Sequence, residues 1–122
     1  MNIFVIHPVR RTSEQFQKEV EEYVKSLEKM GDSVYLPSRD TNQKDKIGLR
    51  ICKDNRTAIR KSDEVHVAWD GISQGCLFDL GIAFALKKKI VVINNLLPEH
   101  SEEKSFQNVI REYAAKFIEN QD

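Results

Sequence analysis

The stretch from Ser62 to Ile93 constrains the fold more than any other part of the chain, because it reads as strand, loop, helix and strand. Apolar and polar residues alternate from Glu64 to Trp69, which is typical of a strand. An Asp-Gly turn follows, and Ser73 is predicted to cap a helix. The β-branched run from Ile90 to Ile93 is typical of a buried parallel strand. This stretch therefore predicts a βαβ unit, with a ligand-binding loop after its first strand.

The rest of the chain extends this unit in both directions. Apolar runs at 2–7 and 33–36 predict two more strands, and periodic apolar residues predict helices that begin at Thr12 or Ser13, at Ile47 and at Glu102. The resulting βαβαβαβα order predicts an α/β fold, a flavodoxin-like or Rossmann-like three-layer sandwich with a four- or five-stranded parallel sheet. The sequence shows no linker, so we expect residues 1–122 to form a single domain.

Loops that follow parallel strands meet at one edge of a sheet, so four loops are expected to form the ligand site. They cover residues 8–11, 39–45, 70–73 and 94–101. Ser73 and the backbone amide of Gly75 at a helix N-terminus predict an anion site, and Arg10 would add positive charge. Glycine also lets a ligand approach the backbone closely. The alternatives are that Ser73 is only a helix cap and that Arg10 is only a surface residue.

Asp79 is the most informative residue of the predicted helix. It lies between Phe78 and Leu80, on a helix expected to pack against the sheet. A carboxylate in such a place is costly to bury unless it has a partner or a chemical task. Asp79 is therefore a candidate functional acid, and a structural salt bridge or a solvent-facing position are the alternatives.

The composition excludes several classes of protein. The formal net charge is zero, which argues against nucleic acid as the main partner. No segment approaches the roughly 20 apolar residues of a membrane helix, and the N-terminal pattern is not that of a signal peptide, so we expect a cytoplasmic protein. The two cysteines and three histidines have no metal-ligand spacing, and we therefore expect neither a metal nor another cofactor.

Two runs of this sequence resemble a known family. S-D-E-V-H-V at 62–67, followed by S-Q-G-C-L-F-D-L-G at 73–81, is similar to the nucleoside 2-deoxyribosyltransferase superfamily, which includes the nucleoside 5′-monophosphate N-glycosidases. Asp79 matches the glutamate of the family's E-L-G signature. The resemblance implies that Asp79 attacks the anomeric carbon of a nucleoside, so that the N-glycosidic bond is cleaved or transferred through a glycosyl-enzyme.

The resemblance also implies roles in substrate binding. Ser73 matches the phosphate-binding serine of the monophosphate glycosidases, and with Gly75 and Arg10 it favours a 5′-phosphorylated ligand. Asn55 matches a position where the family usually has an aspartate that contacts the base or the sugar. We expect two further residues to line the same pocket, His7 after the first strand and Asp70 after the third.

These residues predict an enzyme whose partner is a small nucleoside or nucleotide. Since the resembling family completes its pocket with a neighbouring subunit, we also expect a homodimer or a higher homo-oligomer. One alternative is a non-catalytic nucleotide-binding module on the same fold. A second is a receiver-like interaction domain, but such a domain needs an acidic pair after the first strand, where this chain has His7 and Pro8.

Overall fold

Strands and helices alternate along the chain, as the sequence predicts. The structure is a computed structural model that describes the backbone of residues 1–119 and the side chains of residues 1–117. The described elements are β1 (Asn2–Ile6), α1 (Glu14–Lys29), β2 (Ser33–Tyr35), α2 (Pro37–Asp40), α3 (Leu49–Lys61), β3 (Glu64–Val67), α4 (Gln74–Ala85), β4 (Lys89–Val92) and α5 (Phe106–Glu119).

The four strands form one parallel sheet in the order β2-β1-β3-β4. The register places Val5 of β1 beside His66 of β3, and Val67 beside Val92 of β4. The chain runs outward from β1 to β2 and then crosses back to β3, so the strand order reverses between β1 and β3. A crevice opens at such a switch point, at the carboxyl ends of the strands.

Helices cover both faces of the sheet, so the predicted three-layer α/β sandwich is confirmed. On one face α1 packs Val20, Val24 and Leu27 against alternate residues of β1 and β2. On the other face α3, α4 and α5 pack against a second apolar cluster, whose buried members include Phe4, Ile6, Ile59, Val65, Val67, Ala83, Ile90 and Ile110. Adjacent residues of β1 belong to different clusters, because successive side chains of a strand point to opposite faces.

Two helix starts differ from the sequence prediction, those of α3 and α5, whereas that of α1 agrees with one of its two predicted positions. The N-cap of α1 is Ser13, whose Oγ accepts the Phe16 N–H at 3.1 Å. Helix α3 begins at Leu49, after Gly48 with a φ of 94°, and Ile47 is 91% exposed instead of packed inward. Helix α5 begins at Phe106, not at Glu102.

The later start of α3 is caused by the carboxylate of Asp45. This carboxylate accepts the backbone N–H groups of Ile47, Arg50 and Ile51 and holds the preceding residues in a loop.

The helix α2 was not predicted. It is a single turn that has Pro37 at its first position. The predicted end of the last helix, Asn120, lies outside the described residues. Within residues 1–119, no helix is both long and apolar enough to cross a membrane.

Candidate active site

A cleft of about 630 Å³ lies at the carboxyl ends of β1 and β3, where the strand order reverses. Its walls come from the loop after β1, residues 43–48, the first turns of α3, the loop after β3 and the start of α4. The structure brings all the site residues predicted from the sequence to this cleft: His7, Arg10, Asn55, Asp70, Ser73, Gly75 and Asp79.

The predicted loop at 94–101 does not line the cleft but supports a loop that does. Leu96 O accepts the backbone N–H of Trp69 at 2.8 Å. Pro98 lies so close to Gly71 that a Cβ atom there would come within 2.9 Å of Pro98 Cγ, and the φ of Gly71 is 81°. Gly71 is therefore required both by its backbone conformation and by this close approach.

Asp79 lies on the inner wall of the cleft, one turn into α4. Its residue surface is only 9% exposed, and its Oδ2 accepts a hydrogen bond from Asn55 Nδ2 at 3.3 Å. Burial raises the pKa of Asp79 to about 6, although the Asn55 hydrogen bond acts in the opposite direction. The loss of solvation therefore has the larger effect on the carboxylate.

The loop after β3 is shaped by Asp70 and leaves the hydroxyl of Ser73 without a helix-capping role. Asp70 Oδ1 accepts the backbone N–H groups of Ile72 and Ser73, both at 2.9 Å. Ser73 is the N-cap residue of α4, but its side chain makes no capping hydrogen bond, contrary to the prediction. A Cβ atom on Gly75 would find nothing closer than Ser73 Oγ at 3.9 Å, so the space above Gly75 is open.

Three cations line the cleft, whereas the sequence analysis named only the first, Arg10. The other two are Arg11 and Lys46. None of the three forms an ion pair with another side chain within residues 1–117. The nearby carboxylate of Asp45 is occupied by backbone N–H groups of α3. Together with the N-terminus of α4, these three side chains make the cleft favourable for an anion.

His7 connects the loop after β1 to α2. Burial lowers the pKa of His7 to about 4, so the ring is neutral at physiological pH. Its Nδ1 lies 3.1 Å from the carbonyl oxygen of Pro8, to which it donates, and its Nε2 accepts the Ser38 N–H at 3.4 Å. Both ring nitrogens therefore contact the protein backbone.

Two thiols lie near Asp79. Cys76 is 2% exposed, and burial raises the pKa of its thiol to about 12. Burial also raises the pKa of Cys52, which is partly exposed and lines the cleft, so it is not the fully buried residue that the sequence suggested. Because both pKa values are raised, both thiols are neutral beside Asp79 at physiological pH.

Comparison with known proteins identifies the family of this chain. The family model described as nucleoside 2-deoxyribosyltransferase matches residues 10–112. The chain belongs to the nucleoside 2-deoxyribosyltransferase family. The match covers most of the chain and includes Arg10, Asn55 and Asp79. No curated protein matches the sequence.

Two solved structures share the fold of this family member. One is a 2-deoxyribosyltransferase from Bacillus psychrosaccharolyticus, with 17% identity and a TM-score of 0.70, covering 100% of this chain and 93% of that one. The other is the Clostridium botulinum CMP N-glycosidase BcmB, with 20% identity and a TM-score of 0.61, covering 97% of this chain and 98% of that one. The predicted family, the fold class and an enzyme of the N-glycosidase or deoxyribosyltransferase type are confirmed, and the family acts on nucleosides or nucleotides.

Proposed function

We propose that this protein cleaves or transfers the N-glycosidic bond of a nucleoside or nucleoside 5′-monophosphate, with Asp79 as the nucleophile. The observation that carries the proposal is the position of Asp79, which is 9% exposed and faces a cleft of about 630 Å³. A cleft of this volume accommodates a ligand of nucleotide size. Asn55, which contacts Asp79, is proposed to orient the sugar or the base.

The proposed reaction proceeds by two displacements. The Asp79 carboxylate attacks the anomeric carbon, and the glycosidic bond breaks with its electron pair leaving on the base, which takes up a proton. Water then attacks the same carbon, so that the ester bond to Asp79 breaks and the carboxylate is regenerated, while solvent accepts the water proton. A second base in place of water gives transfer. This is the chemistry of a retaining glycosidase.

We propose that the cations lining the cleft bind the 5′-phosphate of the substrate. Ser73 supplies a hydroxyl donor, Gly75 supplies space beside the backbone, and Arg10 supplies charge. A phosphate satisfies these groups, whereas a neutral 5′-hydroxyl leaves the cations unpaired. Arg11 and Lys46 add to the same field.

Apolar side chains at the mouth of the cleft offer a surface for the flat face of the nucleobase. Ile47, Ile72 and Phe78 line the cleft, and they are 91%, 81% and 59% exposed. Large apolar side chains that are this exposed around a cavity are typical of a ligand site. We propose that they contact the nucleobase.

A panel of nucleosides and their 5′-monophosphates tests the proposed function, with free base detected by chromatography. Cytidine and CMP belong in the panel because one structural neighbour is a CMP N-glycosidase. We expect release of free base from at least one monophosphate, and no release by Asp79→Asn. Tight binding of a monophosphate without base release would contradict the enzymatic proposal and favour a non-catalytic nucleotide-binding module.

We also propose that the protein is a homodimer, formed through an apolar groove between α4 and α5. The groove has a volume of about 220 Å³, and three of its side chains are more than half exposed: Phe84 at 55%, Phe106 at 61% and Val109 at 51%. The ring of Phe84 packs against that of the partly buried Tyr113, with ring centroids 5.0 Å apart. A contiguous apolar surface of this kind fits a second copy of the same face.

Light scattering tests this assembly at micromolar concentration. The unmodified protein should have the mass of a dimer, and Phe84→Glu should have that of a monomer. Met30→Glu is the matched control, because Met30 is 73% exposed and follows α1, which covers the opposite face of the sheet. A monomeric unmodified protein would refute the dimer.

Two general expectations stay proposals. We propose that residues 1–122 form one domain, which the single sheet with its two apolar clusters supports. We also propose a cytoplasmic location, which is supported by the two free thiols at Cys52 and Cys76, since cysteines stay reduced in the cytosol.

A further inference from the structure

A chain of hydrogen-bonding side chains leads from the sheet to Asp79. Tyr35 Oη lies 2.7 Å from Thr41 Oγ1, and Thr41 Oγ1 donates to Asn55 Oδ1 at 2.8 Å. Asn55 Nδ2 in turn donates to Asp79 Oδ2 at 3.3 Å. A hydroxyl has one proton, and that of Thr41 goes to Asn55, so Tyr35 is the donor in the first contact. The other acceptor within reach of the Tyr35 hydroxyl, the carbonyl oxygen of Asp40, is farther away at 3.4 Å.

We propose that Thr41 and Tyr35 are positioning residues for Asp79, because they fix which end of the Asn55 side-chain amide faces the carboxylate. The inference deepens the proposed function and rests on it for the catalytic role of Asp79. An amide has a donor end and an acceptor end. With Thr41 donating to the oxygen of Asn55, the NH₂ group is left to face Asp79. The reverse orientation would place an oxygen against the carboxylate.

Neither positioning residue lines the cleft, so both act on Asp79 only through Asn55. Thr41 is 5% exposed and Asn55 6% exposed, which leaves little room for water to replace a lost partner. Without the Thr41 hydroxyl, the side-chain amide of Asn55 would either rotate its oxygen toward Asp79 or leave that oxygen without a hydrogen bond. Either outcome weakens the support that Asn55 gives to the ionised carboxylate.

Local structure holds both side chains in place. The ring of Tyr35 stacks on Phe4, with centroids 5.5 Å apart and planes at 12°. The single turn of α2 ends at Thr41, whose N–H donates to Pro37 O at 3.1 Å. Gln43 Nε2 donates to the same carbonyl at 2.9 Å. The turn of α2 therefore places Thr41 next to Asn55. This placement is the function of a helix that has only one turn.

Within the described residues, Thr41 makes no hydrogen bond with another titratable or charged group of the cleft. The thiols on α3 and α4, those of Cys52 and Cys76, are neutral because their pKa values are raised. The remaining titratable or charged groups of the cleft are His7, Arg10, Arg11, Asp45, Lys46 and Asp70. A change in the titration of Asp79 in a Thr41 variant therefore reports the Asn55 hydrogen bond.

Three variants test the proposal: Thr41→Val, which keeps the shape but removes the hydroxyl, Tyr35→Phe, and the matched control Thr41→Ser. The readout is the ¹³C resonance of the Asp79 carboxyl followed against pH, identified by its loss in Asp79→Asn. We expect Thr41→Val to move the Asp79 midpoint upward by about one pH unit, the effect of losing one hydrogen bond to the charged form. Tyr35→Phe should move it upward by less, and Thr41→Ser should restore the original midpoint.

The rate of base release gives a second readout, in which the acidic limb of the pH profile should move with the carboxyl midpoint. An unchanged midpoint in both Thr41→Val and Tyr35→Phe would overturn the proposal, as would a shift that Thr41→Ser fails to restore. If Thr41→Val does not fold, Tyr35→Phe decides alone, because its hydroxyl is only partly buried. The titration needs no substrate, so a failure of the proposed function leaves this test intact and is recognised separately.

Discussion

Asn55 of α3 donates a hydrogen bond across 3.3 Å to the carboxylate of Asp79 on α4, at the inner wall of the cleft. This contact is the only side-chain hydrogen bond that Asp79 receives within residues 1–117, and its donor is uncharged. A neutral donor compensates only part of the cost of burying a carboxylate, which is why the pKa of Asp79 lies at about 6. The same burial that perturbs Asp79 makes it a candidate nucleophile.

Base release should depend on the ionisation of Asp79. Its pKa is raised to about 6, and only the carboxylate is nucleophilic, so kcat/KM should fall about tenfold for each pH unit below 6. A pH profile of base release between pH 4 and 8 measures this. A rate that stays constant down to pH 4.5 would show that Asp79 is not the group that must be ionised.

Asp79→Asn should stabilise the protein at neutral and basic pH while it abolishes base release. The raised pKa means that the native state holds its proton more tightly than the unfolded chain does, so stability falls as the pH rises from about 4 to about 6 and stays lower above that range. The free energy of unfolding is lowered by about 3 kcal/mol when the pKa of Asp79 shifts from about 3.9 in the unfolded chain to about 6 in the native state. Asparagine causes no such decrease, because its amide does not ionise.

Urea unfolding at two pH values measures this effect. At pH 8 the free energy of unfolding should be about 1–3 kcal/mol higher for Asp79→Asn, and at about pH 3 the two proteins should differ little, because Asp79 is then mostly protonated in both the native and the unfolded state. Equal gains at both pH values would mean that packing, and not ionisation, causes the difference.

The sequence predicted the strands well because their signal is local. Alternating or continuous apolar runs mark β1, β3 and β4. The first and third strands fall within their predicted runs, and β4 begins one residue earlier, at Lys89. The residues predicted for the site line one cleft because the loops that follow parallel strands meet at one edge of the sheet. The prediction for Ser73 was wrong in one respect, because its side chain makes no capping hydrogen bond although it is the N-cap residue of α4.

The side chains that we propose to position Asn55 could not be predicted from local sequence patterns. Tyr35 and Thr41 act through Asn55, which is 14 residues beyond Thr41, and no local pattern links the two. The helix α2 that places Thr41 has only four residues, too few for an apolar period to appear. Lys46 was missed because it lies in a polar loop whose path is set by Asp45.

Gly75→Ala should separate stability from ligand binding. Alanine stabilises a helix relative to glycine by about 0.5–1 kcal/mol, and a Cβ atom here would contact only Ser73 Oγ at 3.9 Å. We expect a higher melting temperature together with weaker binding of a monophosphate, because the methyl group occupies the open space in the cleft. Gly81→Ala is the matched control, since Gly81 is on the same helix, has free space around it and does not line the cleft. Equal affinity in both variants would argue against a ligand beside Gly75.

The last prediction concerns the 5′ end of the substrate. If Ser73, the Gly75 amide and Arg10 bind a phosphate, a 5′-monophosphate should bind more tightly than its nucleoside. A charge-assisted hydrogen bond contributes about 1.5–3 kcal/mol, which corresponds to about 10- to 150-fold in affinity. Ser73→Asp should erase this preference by placing a like charge beside the phosphate, while nucleoside binding stays nearly unchanged. Aspartate is also a good N-cap, so the variant should fold.

Calorimetry with the paired ligands, in an Asp79→Asn background that prevents turnover, measures both affinities. Ser73→Ala is the control that removes the donor without adding charge, and it should lose only part of the preference. Equal affinity of the two ligands for the protein with Ser73 intact would refute the phosphate site and favour an unphosphorylated nucleoside as the substrate.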